Sequence, residues 1–305
     1  MPARSLLFVA AAACAAFAQE ASWTARAFTP AGSFTDGVEG PACDAAGNLY
    51  AVSFEREGTI GKVTPDGKAT LFAVVPNNGR ANGLRFDSKG YLIAADYVNH
   101  IVHRIDPKTG RFLENLAADW KGPQFRQPND VGIASDDTIY FTDPDWKNRT
   151  GGGRIFMITA PPNRRTVLLE DGLITPNGIT VSADDKRVYV GQSYARNVLV
   201  YDRRPDGTVH NKRVHIDFAA AGIAGESVPD GMRCDVEGNL YVSMVGLGKI
   251  LIVRPDGTLY PHAIESLGKS PANITFCGQD GRTLYITEKQ HGRIEKARAP
   301  HRGVR

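Results

Sequence analysis

The chain of 305 residues has little net charge, no long apolar segment after its N-terminus and only four cysteines. A formal net charge of +3, without any Lys/Arg block or basic helix, argues against a nucleic-acid partner. No segment beyond the N-terminus is apolar enough to span a membrane. The sequence also contains neither Gly-x-Ser-x-Gly nor His-Glu-x-x-His. The usual signatures of serine hydrolases and zinc proteases are therefore excluded.

The N-terminus is the one strongly apolar segment. A basic residue precedes an apolar core at residues 6–17, and Ala16-Phe17-Ala18 is a small-x-small cleavage site. We expect a secretory signal peptide over residues 1–18, cleavage after Ala18, and a mature chain of residues 19–305 that is periplasmic or secreted. A lipoprotein signal ending at Cys14 is the alternative, but the Leu that usually precedes such a cysteine is missing.

One unit recurs six times along the rest of the chain. Each copy has a polar residue at the end of a loop, a stretch of apolar/polar alternation, an Asp/Gly turn and a second strand. The second strands carry matching large residues at Tyr50, Ile93, Tyr140, Tyr189, Tyr241 and Tyr285. Successive copies are therefore 43 to 52 residues apart, the length of a four-stranded propeller blade. The predicted fold is all-β, a six-bladed β-propeller of four-stranded antiparallel blades in one domain.

The N-terminal strand is predicted to close the ring. Residues 23–28 resemble the segments that end the other repeats, whereas the sixth repeat runs out soon after residues 293–298. We expect the N-terminal strand to supply the outer strand of the last blade, because a closed ring leaves fewer exposed strand edges.

The three cysteines that remain after cleavage are an odd number. Cys43 and Cys234 take the same position in their repeats, and Cys277 comes one residue later in its own. These positions belong to packed strand layers, so we expect buried free thiols rather than a disulfide or a catalytic cysteine.

Aligned on the start of the inner strand, the six copies place one residue each where it faces the propeller axis. These residues are Glu39, Asn82, Asn129, Asn177, Asp230 and Ala272. Five of them carry a side-chain oxygen, and a hard cation such as Ca²⁺ prefers oxygen ligands, whereas zinc favours nitrogen or sulfur. The pattern predicts a divalent-cation site in the channel. The alternative is that Asn-Gly and Asp-Gly dipeptides are ordinary hairpin turns.

Long loops of uneven length share the face of the ring where these residues lie, and such loops usually carry binding sites. Arg126 and Trp146 belong to them, and Asp143 ends a strand at the same face. With Asn82 of the ring, these three residues are the candidate substrate contacts.

Five short motifs, in this order, resemble the senescence marker protein/gluconolactonase family of six-bladed propellers. They are Glu39-Gly-Pro, Pro128-Asn129-Asp130, Tyr140-Phe-Thr-Asp143, Pro176-Asn177-Gly178 and Pro229-Asp230-Gly231. The resemblance covers nearly all of the chain after the signal. Val38 and Cys43 depart from the family, which often has Gly and Trp there. Arg126 also lies one residue further from Asn129 than the substrate-binding arginine of sugar lactonases does.

The resemblance implies a divalent-metal-dependent hydrolase, most often a lactonase, that acts on a small lactone or ester. It implies Ca²⁺, or Mn²⁺, Mg²⁺ or Zn²⁺, held by Glu39, Asn177 and Asp230, with Asn129 on or beside the ion and Asp130 as an acidic neighbour. We expect the cation to polarise the lactone carbonyl while Asp230 or Asp130 accepts a proton from the attacking water. A monomer is expected.

Two other kinds of function stay open from the sequence. One is a non-catalytic propeller, in which the ion only staples the channel and the loops bind a partner. The other is a related propeller enzyme, either an organophosphate hydrolase or a strictosidine-synthase-like lyase. A structural ion needs no spare acid beside it, so Asp130 favours catalysis.

Overall fold

The computed structural model describes residues 23–304. Residues 1–22, which carry the predicted signal peptide and Cys14, lie outside the described residues, as does residue 305. Between residues 23 and 304, no helix is long and apolar enough to cross a membrane. The single 3₁₀ turn at Pro76–Asn78 is the only helical element in this part of the chain, so the fold is all-β as predicted.

Six four-stranded antiparallel sheets form the blades of a six-bladed propeller, which confirms the predicted architecture. From the axis outward, blade 1 is β2 (Ala42–Cys43), β3 (Leu49–Val52), β4 (Thr59–Val63) and β5 (Ala69–Val74); blade 2 is β6 (Ala81–Phe86), β7 (Leu92–Asp96), β8 (Ile101–Ile105) and β9 (Phe112–Asn115); blade 3 is β10 (Val131–Ile133), β11 (Ile139–Asp143), β12 (Gly153–Ile158) and β13 (Thr166–Leu173). Blade 4 is β14 (Pro176–Val181), β15 (Arg187–Gln192), β16 (Asn197–Arg203) and β17 (Val209–Asp217); blade 5 is β18 (Val228–Cys234), β19 (Leu240–Val245), β20 (Lys249–Val253) and β21 (Ile264–Glu265); blade 6 is β22 (Pro271–Cys277), β23 (Thr283–Glu288), β24 (Arg293–Arg298) and β1 (Arg26–Ala27).

The core is divided among the spaces between neighbouring blades. Six clusters of buried apolar side chains fill these spaces, one between each pair of neighbours. Both faces of the inner strands are therefore covered, which is why β14 and β22 are buried along their whole length. Each fully buried Val, Leu or Ile side chain stabilises such an interface by about 1.5–3 kcal/mol relative to exposure.

The N-terminal strand closes the ring as predicted. In blade 6, β1 pairs with β24, with Arg26 opposite Lys296 and Ala27 opposite Glu295. The first and last described segments of the chain thus belong to one sheet, and the edge of β24 is covered.

The expectation of three free thiols is wrong for two of the cysteines. Cys43 and Cys277 form a disulfide with a Cα–Cα distance of 5.8 Å, and Cys234 is the only free cysteine among residues 23–304, buried between blades 4 and 5. The one-residue offset of Cys277 explains the pairing. Successive side chains of a strand point to opposite faces, so the offset turns Cys277 toward blade 1, where Cys43 ends its inner strand.

The Pro-Asp-Gly turns lie at the opposite end of the blades from the ring residues and bond within themselves. Asp206 accepts a hydrogen bond from the Thr208 N–H at 2.9 Å, and Asp256 accepts one from the Thr258 N–H at the same distance. The carboxylates of these two turns are therefore turn-forming groups.

Candidate active site

The ring residues lie where the innermost strands begin. In four blades the strand ladder is irregular at this point, and the pairing skips residues between Ala81 and Leu84, Pro176 and Ile179, Pro229 and Met232, and Pro271 and Asn273. The irregularities release Asn177 and Asp230, together with the half-buried Asn82, from regular pairing. Glu39 and Asn129 come just before their strands.

Glycines follow four of the ring residues and allow the inner strands to converge at the axis. A Cβ on Gly178 would lie 2.2 Å from the backbone oxygen of Asp230, and one on Gly40 would lie 1.8 Å from that of Asn82. The residue-glycine dipeptides are therefore sites of close backbone approach between blades, and not the hairpin turns of the alternative interpretation.

Asp130 occupies the position that is glycine in four of the other blades. Its buried carboxylate accepts hydrogen bonds from the N–H groups of Val131 at 2.9 Å and Ile179 at 3.4 Å. The guanidinium groups of Arg85 and Arg233 lie 3.4 and 3.8 Å from its two oxygens. Burial raises the pKa of Asp130, although Arg85 opposes the shift. The side chain is 0% exposed, so it is fixed within the channel and has no access to solvent.

Glu39 of blade 1 and Asp230 of blade 5 bring two carboxylates together at the axis. Burial, and then the negative charge of Glu39, raise the pKa of Asp230 well above its usual range. The Nζ of Lys289 lies 3.4 Å from Glu39 Oε1. Although burial opposes it, the charges of Glu39 and Asp230 raise the pKa of Lys289. The site therefore concentrates two carboxylates at the axis, of which Lys289 balances one charge.

Lys289 is a site residue that the repeat alignment missed. It follows β23 in blade 6, the blade whose ring residue is Ala272, and so places an ammonium group where the ring lacks an oxygen. The only signal in the sequence was a basic residue directly after a second strand, on the face of the propeller where the ring residues lie. Lys289 does not take the repeat position that the ring residues share.

The side-chain amides of Asn129 and Asn177 offer oxygen atoms that a cation could bind. Asn177 Nδ2 donates to Ser193 Oγ at 3.1 Å, and Ser193 Oγ donates to the Pro229 carbonyl at 2.9 Å. Asn129 Oδ1 is buried and accepts no hydrogen bond from any residue between 23 and 304. A buried carbonyl without a donor costs about 1–3 kcal/mol. The two carboxylates and the side-chain oxygens of Asn129 and Asn177 fit a hard divalent cation.

Asp143, a predicted substrate contact, is wholly buried and bonded within blade 3. It accepts hydrogen bonds from the Gln127 N–H at 2.7 Å and from Arg154 Nε at 2.9 Å. Burial raises the pKa of Asp143, against the effect of the hydrogen bonds and of Arg154. This geometry anchors the loop that enters blade 3, which makes Asp143 a positioning residue. A contact between Asp143 and substrate stays an untested prediction.

Arg126 and Trp146 lie in loops at the mouth of the channel. Arg126 Nε is 3.4 Å from Asp145 Oδ2, and its Nη1 is buried without a hydrogen-bond partner among the described residues. The Trp146 ring meets the ring of Tyr194 edge-on at 6.3 Å, and the Arg149 guanidinium stacks on Tyr194 at 4.3 Å. These side chains form a basic and aromatic wall beside the ring.

A second acidic cluster, absent from the sequence predictions, lies in blade 6. Glu288, His291 and Glu295 each offer an atom within 4.8 Å of the others. His291 Nδ1 is 2.6 Å from Glu288 Oε2, while Glu295 accepts hydrogen bonds from Arg293 Nη2 and Ser266 Oγ, each at 2.9 Å. Since these carboxylates are already satisfied by neighbouring groups, the cluster serves to hold the loops of blade 6.

Comparison with known proteins identifies the family. The model of the SMP-30/gluconolactonase/LRE-like region matches residues 39–290, from the first ring carboxylate to the residue after Lys289. The chain belongs to this family. A gluconolactonase of Zymomonas mobilis is 29% identical over 276 residues, which cover 82% of this chain and 75% of that protein. A 6-deoxy-6-sulfogluconolactonase of Pseudomonas putida is 25% identical and covers 77% of each chain.

The fold of this SMP-30/gluconolactonase-family chain also matches solved structures. Regucalcin from Agrobacterium tumefaciens, a calcium-binding protein, superposes with a TM-score of 0.75 over 93% of this chain and 98% of that one. The two are 19% identical, so the likeness shows the shared propeller fold.

Proposed function

We propose that the protein is a divalent-metal-dependent lactonase that opens a small lactone ring with water. The observation that carries the proposal is the buried pair Glu39 and Asp230, which stands beside the unpaired Asn129 Oδ1 at the axis of the propeller. Relatives that are named lactonases across most of this chain support the reaction class.

Glu39, Asn129, Asn177 and Asp230 would hold the cation, and Ca²⁺ suits this all-oxygen set best. When bound, the cation supplies a Lewis acid for the lactone carbonyl and for the negative charge that develops on it. The Asn177 amide is held by its hydrogen bonds to Ser193 Oγ and to the Asp230 side chain, and its Oδ1 would be the atom that binds the cation.

Asp230 is the proposed general base. It is 8% exposed at the ring, so a carboxylate oxygen that is not engaged with the cation can accept a proton from the attacking water. Asp130 is less suited to this role because it is 0% exposed and is engaged by two arginines and two N–H groups. We propose that the negative charge of Asp130 contributes to the electrostatic potential at the ring without contact with the substrate.

The mouth loops would select the substrate. Arg126 has a free guanidinium nitrogen, and the wall of Trp146, Tyr194 and Arg149 presents both π-faces and positive charge. This chemistry suits a polyhydroxylated lactone, whose hydroxyl groups accept hydrogen bonds from Arg126 and whose ring C–H groups pack on the aromatic side chains. Asn82 adds a polar group from the ring itself.

We also propose that the chain works outside the cytoplasm. The N-terminal signal sequence motivates this proposal, and the Cys43–Cys277 disulfide supports it, because structural disulfides persist mainly in oxidising compartments.

The test is a panel of sugar, aliphatic and aromatic lactones, assayed on purified protein with CaCl₂ and with a chelator. Glu39→Gln should lower kcat/KM for the best lactone by about 100-fold or more while the protein keeps its fold, because one charged ligand is lost. Asp206→Asn, in a far-face turn, is the matched control and should keep full activity.

The outcomes separate the alternatives. Full metal-dependent turnover by Glu39→Gln would refute the assignment of the ring. No turnover of any lactone or ester by the metal-loaded protein would overturn the lactonase proposal in favour of a binding module. Turnover of a phosphotriester, or carbon–oxygen bond cleavage by elimination, would instead support the organophosphate hydrolase or the lyase.

A further inference from the structure

The half of the central channel that lies beyond Asp130 contains a separate cavity of about 650 Å³. The far ends of the inner strands line it, opposite the ring residues at their beginnings. Arg85 and Arg233 form its inner end, with Thr180 and Thr275 on its walls. The proposed lactonase reaction uses none of these four side chains.

Arg233 is buried in this cavity with much of its hydrogen-bonding capacity unused. The residue is 6% exposed, and neither Nε nor Nη2 has a hydrogen-bond partner among residues 23–304. Its Nη1 donates to the carbonyl oxygen of Met232 and is the atom that approaches Asp130 at 3.8 Å. A buried guanidinium with two idle donor nitrogens is costly unless an acceptor binds there.

Arg85 adds a second guanidinium on the same carboxylate. Its Nη2 lies 3.4 Å from Asp130 Oδ1, and its Nη1 donates to the carbonyl oxygen of Leu84. Two arginines therefore share one carboxylate. A single Asp130 cannot neutralise both, so the inner end of the cavity carries a net positive charge.

The charge along the axis adds to this imbalance once the ring holds its cation. Three carboxylates, those of Glu39, Asp130 and Asp230, face the three cationic side chains of Arg85, Arg233 and Lys289. These formal charges cancel. This step rests on the proposed function: a divalent cation in the ring would leave a surplus of two positive charges on the axis, which favours an anion nearby.

Four acidic residues also line the cavity, in or beside the turns at its outer end: Asp44, Asp87, Asp137 and Asp185. Asp44 accepts hydrogen bonds from Asn48, Asp137 from Ser88 and Asp185 from Ser135, while Asp87 Oδ2 lies 3.5 Å from Arg104 Nη2. These carboxylates keep their negative charges, so the cavity as a whole is not positive. An anion would be held at the inner end, by direct contact with the idle donors of Arg233.

We propose that this cavity is an anion-binding site, in which Arg233 Nε and Nη2 hold a small inorganic anion of the halide or phosphate class, with Arg85 opposite. The site lies on the far side of Asp130 from the cation ring. A bound anion would stabilise the inner strands of blades 2 and 5, which supply the two arginines.

The direct test uses the metal-loaded full chain in crystals soaked with sodium bromide. We expect an anomalous bromide peak within hydrogen-bonding distance of Arg233 Nε or Nη2. In solution, bromide and inorganic phosphate should each raise the Tm saturably, by roughly 5 °C, over a bulky organic sulfonate at equal ionic strength.

Arg233→Lys keeps the positive charge beside Asp130 but removes the two idle donor nitrogens. This variant should fold and lose the bromide peak, and the phosphate concentration that gives half of the Tm increase should rise at least tenfold. The matched control Arg164→Lys, in a groove outside the channel, should leave the bromide peak and the phosphate titration unchanged. A phosphate effect that survives in Arg233→Lys would overturn the proposal, as would a water in place of bromide at Arg233. A bromide peak without any saturable effect in solution would mean binding at crystal concentration only, and would also overturn it.

These outcomes are independent of lactone hydrolysis. If the lactonase assay fails but bromide binds at Arg233, the anion site stands and the reaction class falls. If hydrolysis is found but the anion outcomes fail, the reverse holds.

Discussion

The disulfide between Cys43 and Cys277 should make the closed ring strongly dependent on oxidation. The two cysteines are 234 residues apart, so the crosslink joins the inner strands of the first and last blades and encloses most of the domain. The loop-entropy relation for a closed segment of this length gives about 5 kcal/mol of stabilisation at 25 °C. Pairing of β1 with β24 already holds the ring together, so this figure is an upper value.

The perturbation is the double variant Cys43→Ala/Cys277→Ala, compared with the wild type by thermal unfolding with and without dithiothreitol. For a domain of this size, the upper value of about 5 kcal/mol corresponds to a fall in Tm of at most about 10 °C. Reductant should lower the Tm of the wild type toward that of the variant and leave the variant unchanged, because its remaining Cys234 is a buried free thiol. Equal Tm values for the two proteins, or peptide mapping that finds free thiols at both positions in air-oxidised wild type, would refute this reasoning.

Three further predictions concern the ring. Lys289→Met should lower the unfolding free energy of the metal-free protein by about 2 kcal/mol, between the values for buried and exposed ion pairs, because Glu39 loses its partner. In a denaturant titration, calcium should restore most of this loss. No change in metal-free stability would contradict the assigned ion pair. Gly178→Ala should destabilise the protein by about 2–3 kcal/mol because its Cβ would lie 2.2 Å from the Asp230 backbone oxygen. The control Gly151→Ala, whose Cβ would have its nearest atom at 3.6 Å, should cost far less. Equal unfolding free energies for the two variants would show that the backbones at Gly178 do not need this close approach. The pKa of Asp230 is raised in the folded metal-free chain, so its protonation stabilises the fold fully below the unfolded pKa, and this stabilisation is lost as pH rises through the folded pKa. The unfolding free energy measured against pH should show this loss without calcium, and calcium should flatten the curve. A curve that does not change with calcium would count against Asp230 as a ligand.

The repeat made the architecture predictable because each blade repeats the same physical problem. Alternation around an Asp/Gly turn specifies a hairpin, and six hairpins at blade spacing specify a ring. The closing strand was predictable for the same reason, since the sixth repeat lacked an outer strand that residues 23–28 could supply.

The prediction of free thiols was wrong because the disulfide depends on which face of its strand each cysteine occupies, in two different blades. Cys43 and Cys277 are far apart in sequence, and an odd count favoured free thiols. The deciding signal was the one-residue offset of Cys277, which reverses the face of its strand.

The site was predicted in part. The repeat position indicated Glu39 and Asp230, which the structure brings together with Lys289. Lys289 itself escaped because it comes from a loop after a second strand, where no repeat position fixes its direction. Asp143 shows the opposite difficulty: its place at the mouth face was predictable, but its burial beneath Arg154 depends on packing between a strand and a loop.

The ring at the channel mouth is proposed to bind one divalent cation through Glu39. Isothermal titration of CaCl₂ into metal-stripped protein tests this most directly, with Glu39→Gln and Glu288→Gln in parallel. We expect one calcium per wild-type chain, affinity reduced about 100-fold or more by Glu39→Gln, and little change in Glu288→Gln. Undiminished binding by Glu39→Gln, or binding abolished only by Glu288→Gln, would contradict it and place the ion at the Glu288, His291 and Glu295 cluster instead.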